Sequence, residues 1–227
     1  HLTLKKESEI GRDGEKNALM LLDFATDWVG MKPVKTKDAH DAQMAFSEYL
    51  GECEERNRYI CKLADGLKGN VLVLFTRVEG HGIPLHERMS EATERPTHLI
   101  HGGTDVSQRE GVRQIAETSD NNIILGSYGT MSTGVNIKNL HHVVFASPSK
   151  SRIRVLQSIG RGLRKAKGKN EAKLHDIADD FRKPHGKNNF TLNHLAERMK
   201  FYIDEDFVYQ CRELQLPPPV EACITII

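Results

Sequence analysis

Two arginines stand three apart in Gln157-Ser158-Ile159-Gly160-Arg161-Gly162-Leu163-Arg164-Lys165. On a helix that spacing puts Arg161 and Arg164 on one side. Planar guanidinium forks suit phosphate oxygens better than any other side chain. Two of them, held rigidly, can stabilise charge that develops on a transferred phosphoryl group. Gly160, just before the first arginine, leaves room for a backbone or a phosphate to come close. Lys165 adds a further cation. A lone R-x-x-R is more often a solvated basic helix, so the weight falls on what surrounds it.

A second stretch suited to phosphate lies upstream. Ser127-Tyr128-Gly129-Thr130-Met131-Ser132-Thr133-Gly134-Val135-Asn136-Ile137 follows an apolar run. Its glycines and small hydroxyl residues expose backbone N–H groups and hydroxyls that fit a sugar-phosphate backbone. Standing alone, it would read as an ordinary glycine-bearing connection.

The elements that must position these stretches alternate. Glu52 to Leu67 reads as a helix, with Ile60, Leu63, Ala64 and Leu67 on one face. Val71 to Phe75 is a continuous apolar run, as in a strand buried on both faces of a parallel sheet. Gly82 to Ala92 reads as helix, Thr97 to His101 as strand and Gly102-Gly103 as a turn. Thr104 or Asp105 caps a helix that runs to Ser119. Asn122 to Gly126 and His142 to Ser147 are further strands, joined by a loop from Ser127 to Leu140. Ser151 caps the helix with the two arginines, and Lys173 to Ala178 reads as a last strand.

This order predicts an α/β fold with a doubly wound, mostly parallel sheet. Ligands in such sheets sit at the carboxyl ends of the strands. The loops after Phe75, His101, Gly126 and Ser147 should therefore share one rim. Extra helices are expected at both ends of the chain. Glu15 to Val29 carries Leu19, Leu22, Phe24 and Trp28 in a roughly helical pattern. Phe181 to Asn193 reads as a polar loop. Thr191 is placed to cap a helix from Leu192 to Leu214, which Pro217-Pro218-Pro219 ends.

Composition narrows the function classes. The 227 residues are 38% apolar, enough for a buried core, and carry a net charge of only +1. The charge is unevenly spread. Nine basic residues and one acid, Glu171, lie between Lys150 and Lys173, giving +8 there. A local basic patch on a near-neutral protein fits a polyanion bound at one face. The four cysteines show no metal-site or disulfide spacing, which suits reduced thiols in an intracellular protein. No apolar run is long enough to span a bilayer, and no signal peptide is evident. The chain lacks an initiator Met, as expected of a piece of a longer protein.

The glycine-bearing stretch, a strand and then Q-x-x-G-R-x-x-R together resemble motifs V and VI of the superfamily 2 helicases and translocases. Val71 to Arg77 is similar to motif IV, and the order and spacing from Val71 to Lys165 fit. From about Arg56 onward the chain also resembles the UvsW-type branch of phage DNA repair helicases. The shared detail includes Ser127-Tyr128-Gly129, Ser132-Thr133-Gly134, Lys138 to Val144 and Leu192-Asn193. The resemblance implies the second RecA-like domain of a two-domain motor, at residues 51–180. Residues 1–50 are then an N-terminal extension, and 181–227 a loop and helix packed on the domain.

Residue by residue, the resemblance implies that Arg161 and Arg164 reach ATP bound with Mg2+ on a neighbouring N-terminal RecA-like domain. Gln157, Gly160, Gly134 and Asn136 would couple that ATP site to the interdomain cleft. Thr76, Arg77, Gly102, Arg109, Ser127, Thr133 and Lys165 would contact the nucleic-acid backbone. The partner implied is branched or forked DNA, or an RNA–DNA hybrid, in the cytoplasm.

Two departures qualify the match. Ser127-Tyr128 stands where many superfamily members have Thr-Asp, which removes a carboxylate contact to ribose. No G-x-x-x-x-G-K-[ST] loop occurs in the chain, so the element that grips phosphates is missing. Ile177-Ala178-Asp179-Asp180 and Ile203-Asp204-Glu205-Asp206 mimic a magnesium-binding strand, but both follow motif VI, in the wrong order. Two rival readings remain: a non-catalytic nucleic-acid-binding module that uses the basic patch at 150–173, and an unrelated α/β enzyme. The second would need a phosphate loop at Phe75 to Gly82, and that stretch fits none.

Overall fold

The computed structural model describes residues 18–25, 48–133, 137–147, 172–180, 190–204 and 207–216. Among the described residues, seven strands form one sheet in the order β3-β4-β2-β5-β6-β1-β7. They are β1 (Ala18–Ala25), β2 (Val71–Phe75), β3 (Thr97–Ile100), β4 (Ile123–Ser127), β5 (His142–Phe145), β6 (Lys173–Asp180) and β7 (Val208–Gln215). Every pairing is parallel. The helices are α1 (Glu54–Gly66), α2 (Ile83–Ala92), α3 (Val106–Thr118), α4 (Tyr128–Thr133) and α5 (Phe190–Asp204).

Period-2 alternation along β2 divides the core. Leu72 and Leu74 face a cluster with Ala116 of α3, Tyr128 and Met131 of α4 and Tyr202 of α5. Val71, Val73 and Phe75 face the other cluster, with Ile60, Cys61 and Ala64 of α1 and Leu85 and Met89 of α2. Each β2 side chain is fully buried, so a strand covered on both faces reads as a continuous apolar run. The α/β fold with a doubly wound parallel sheet is therefore present.

Two stretches differ from the sequence reading. Residues 18–25 form a strand between β6 and β7, where helix was expected. Ala-Leu-Met-Leu-Leu is a short apolar run, and periodicity alone does not separate a buried helix from a buried strand in such runs. The expected helix from Leu192 to Leu214 starts at Phe190 and ends at Asp204. Residues 208–215 are strand, beginning with the β-formers Val208 and Tyr209. Thr191 is inside the first turn rather than capping it. Its hydroxyl donates to the Asp179 carbonyl and ties α5 to the end of β6.

Two carboxylates of β6 anchor helices on opposite faces. Asp176 accepts from Arg198 Nε and Nη2 of α5, at 2.5 and 2.8 Å, and from the Tyr202 hydroxyl at 2.8 Å. Asp179 accepts from Arg56 Nε of α1 at 2.7 Å. All four charged side chains are at most 2% exposed. At the opposite end of the sheet, Asn70 fastens three connections. Its amide donates to the carbonyls of Ala116, Ser119 and Asn139, and its Oδ1 accepts from the Asn122 backbone and side chain.

Candidate functional site

Because all strands run the same way, their carboxyl ends form one rim. Along it the loops stand in the order Gly102 after β3, Tyr128 after β4, Thr76-Arg77 after β2, Ser147 after β5 and Asp180 at the end of β6. Ladder pairs fix the register: Ile100 opposite Gly126, Phe75 opposite Ser127, Leu74 opposite Phe145 and Phe145 opposite Asp176.

At the end of β2, Thr76 is exposed and its N–H donates to Ser147 Oγ at 3.2 Å. Arg77 is about one-third exposed and donates from Nη2 to Glu48 Oε1 at 3.1 Å. A π-turn, Val78–Gly82, follows, closed by the Gly82 N–H on the Arg77 carbonyl at 2.8 Å. Gly82 is required there, since a Cβ would stand 2.3 Å from the Phe75 ring. The wide turn drives His81 inward, to 3% exposure.

After β3, Gly102 and Gly103 are exposed. Arg109 of α3 donates from Nη2 to the carbonyls of His101 and Gly102, at 3.3 and 3.0 Å, and so braces this loop. Thr104 Oγ1 accepts the His101 N–H, while Asp105 at the cap position makes no side-chain cap bond.

After β4 the expected loop begins instead as the short helix α4. Ser127 is its cap. Its Oγ accepts the Thr130 N–H at 3.4 Å and donates to Thr130 Oγ1 at 2.9 Å. Ser127 is buried, with its hydroxyl held in the first turn of that helix. Gly129 is the exposed position of the turn. Tyr128 is buried, with its ring 5.8 Å from that of Phe145 and its hydroxyl donating to the Ser147 carbonyl at 3.2 Å.

The backbone of Thr133 closes α4. Gly134, Asn136, Gln157, Gly160, Arg161, Arg164 and Lys165 lie outside the described residues. The flanking strands β4 and β5 bring both of their segments out at the same rim. The structure thus gathers Thr76, Arg77, Gly102, Arg109 and the start of the 128–136 stretch along one edge.

Sequence reasoning missed the polar knot beneath that edge. His81 Nδ1 lies 3.0 Å from Ser147 Oγ, and its Nε2 lies 3.1 Å from Asn57 Oδ1. Burial, helped by the Arg56 charge, pushes the imidazole down to about 3, so it is neutral at working pH. The partners are 24 to 66 residues apart, beyond any local pattern. The only local sign was a histidine between two glycines.

No group of three or more potential metal ligands is assembled among the described residues. Asp179, in the stretch that mimics a magnesium-binding strand, is already ion-paired with Arg56 inside the fold. A carboxylate already committed to a buried cation does not fit a magnesium site.

A model of the helicase conserved C-terminal domain matches residues 55–166. The ATP-dependent DNA helicase UvsW of Enterobacteria phage T4 is 36% identical over 174 residues, which cover 71% of this chain and 34% of that protein. Its crystal structure superposes with a TM-score of 0.67 at 30% identity, over 90% of this chain and 42% of that one. The chain carries a superfamily 2 helicase C-terminal domain, related to that of UvsW. The E. coli DEAD-box protein SrmB (14% identity, 88% of this chain and 96% of that one, TM-score 0.56) shares the fold. So does the C-terminal domain of the DEAD-box protein Dbp5 (12%, 89% and 91%, 0.56). The chain spans about a third of UvsW. Among the described residues, no helix is long and apolar enough to cross a membrane.

Proposed function

We propose that this domain is the finger-bearing half of an ATP-driven motor that moves on branched or forked DNA, or on an RNA–DNA hybrid. One observation carries the reading: the segments that follow β2, β4 and β5, which hold the three motifs, all leave the same rim of a parallel sheet. ATP is the substrate, held with Mg2+ by a separate N-terminal RecA-like domain. The ion pair of Asp179 with Arg56 supports that division.

Arg161 and Arg164 reach across the cleft to the γ-phosphoryl group, with Arg164 as the finger. Two fixed guanidinium groups there stabilise the charge of the transition state more than that of the ground state. Gln157, Gly160, Gly134 and Asn136 link this contact to the cleft. Thr76, Arg77, Gly102, Thr133 and Lys165 grip the nucleic-acid backbone. Arg109 acts mainly by holding the Gly102 loop in place. Hydrolysis releases the arginines, the domains part, and the grip shifts along the strand.

The test is Arg164→Ala in the complete protein. DNA-stimulated hydrolysis should fall by about 10³-fold or more, the usual contribution of an arginine finger, while ATP still binds. Near-wild-type turnover would remove Arg164 from the site.

A further inference from the structure

The hydrogen bonds around His81 run in one direction only. Asn57 Nδ2 donates to the Gly51 carbonyl at 2.7 Å, so the Asn57 oxygen is the atom that faces His81. That oxygen can only accept, so His81 Nε2 carries the proton. A neutral imidazole then has a bare Nδ1, which takes the Ser147 hydroxyl proton at 3.0 Å. The Ser147 oxygen keeps a lone pair for the Thr76 N–H at 3.2 Å. The order is Thr76 N–H to Ser147, Ser147 O–H to His81, His81 N–H to Asn57, and Asn57 N–H to Gly51. No member can turn round without leaving a buried group unpaired.

Ser147 stands two residues past the end of β5, and Arg161 and Arg164 come later along the same connection in the sequence. Its side chain is held from the loop after β2. Its carbonyl is held by Tyr128, from the first turn after β4. Those two segments carry Thr76, Arg77 and Thr133, three of the residues assigned to the nucleic-acid backbone. Asn57, His81, Tyr128 and Ser147 are buried, and the Thr76 N–H bond is partly so. Buried polar networks have few satisfied arrangements, so a shift at one member is passed to the next.

Resting on the motor reading above, we propose that His81, Ser147 and Tyr128 form a positioning relay that transmits nucleic-acid contact at the loops after β2 and β4 to the arginine-bearing segment after β5. The relay touches neither ATP nor DNA. It sets where that segment starts. Losing a link should therefore lower kcat in the DNA-bound state and spare ground-state binding of either ligand.

Amide isosteres divide the chain at His81. His81→Asn keeps an acceptor where Nδ1 stood, so the Ser147 link survives and the Asn57 link is lost. His81→Gln reaches Asn57 with a donor and leaves Ser147 without its acceptor. Ser147→Ala cuts the centre of the relay, and Tyr128→Phe removes one hydroxyl while keeping the ring packing.

The experiment measures DNA-stimulated ATP turnover, KM for ATP, forked-DNA affinity and Tm for these four variants in the complete protein. His81→Gln, Ser147→Ala and Tyr128→Phe should each lose about tenfold in kcat, one hydrogen bond's worth of transition-state positioning, with KM and DNA affinity within about twofold. His81→Asn should stay within about threefold of wild type in kcat. Wild-type kcat in Tyr128→Phe and Ser147→Ala would overturn the relay. So would kcat losses in all four variants that simply follow Tm. If His81→Gln does not fold, Tyr128→Phe decides alone. Arg164→Ala in the same series separates the two readings. Turnover lost there but kept in the relay variants removes only the relay, and turnover kept in Arg164→Ala removes the motor assignment beneath it.

Discussion

Acid should destabilise this domain through two buried histidines. Burial pushes His81 and His175 each down to about 3, with Arg56 adding to the effect at His81, and His142 and Lys173 at His175. Unfolded, each titrates near 6.5. Below about pH 6.5 the unfolded chain binds protons that the folded chain refuses, so stability is complete above that pH and drains away as pH falls toward 3. Each imidazole contributes a slope of about 1.4 kcal/mol per pH unit in that window. Between pH 7 and 5 the loss is about 2 kcal/mol per histidine and about 4 kcal/mol for the pair. That is a large part of a typical domain stability of about 5–15 kcal/mol. Urea unfolding at pH 7, 6 and 5 measures it, with His81→Asn, His175→Gln and the double variant alongside wild type. Each single variant should lose about 2 kcal/mol of the pH dependence, and the double about 4. Carboxylates such as Glu110, lowered to about 2 by its Arg113 bond, cancel in the comparison because every variant keeps them. A double variant with the wild-type slope would refute the reasoning, since the imidazoles would then be charging inside the folded protein.

Other substitutions test the anchors. Arg198→Met leaves Asp176 buried without its cation and should cost about 3–5 kcal/mol in chemical unfolding, against about 1 kcal/mol for Tyr202→Phe, which removes one hydrogen bond. Gly82→Ala puts a Cβ 2.3 Å from the Phe75 ring and should cost about 1–3 kcal/mol, partly restored by Phe75→Leu in a double-mutant cycle. Asn70→Ala removes the partner of the Asn139 carbonyl and of the Asn122 N–H, and should lower stability by about 2 kcal/mol in the same assay.

The strands in the middle of the sheet were readable because burial on both faces leaves a signature in four or five consecutive residues, as in Val71 to Phe75. The rim followed from parallel order alone, since parallel strands end on one side. Ala18–Ala25 was misread because a short apolar run suits a buried helix as well as a buried strand, and its neighbours in the sheet lie about 150 and 190 residues away. A hydroxyl after a strand, such as that of Ser127, suits a phosphate contact and a helix cap alike. Its capping of α4 became visible only once Thr130 was seen to close the turn. The knot of Asn57, His81 and Ser147 joins three separate elements, and no spacing along one element encodes such a contact. Asp179 was set aside as a magnesium ligand on motif order, and its pairing with Arg56 gives the physical reason.

The most direct test of the central claim is ATP hydrolysis by this chain, alone and mixed with the N-terminal RecA-like domain of the complete protein, with and without forked DNA. The account predicts no turnover by the chain alone, turnover on mixing that forked DNA stimulates, and loss of that turnover in Arg164→Ala. Robust hydrolysis by the chain alone, or mixed turnover indifferent to Arg164, would contradict it.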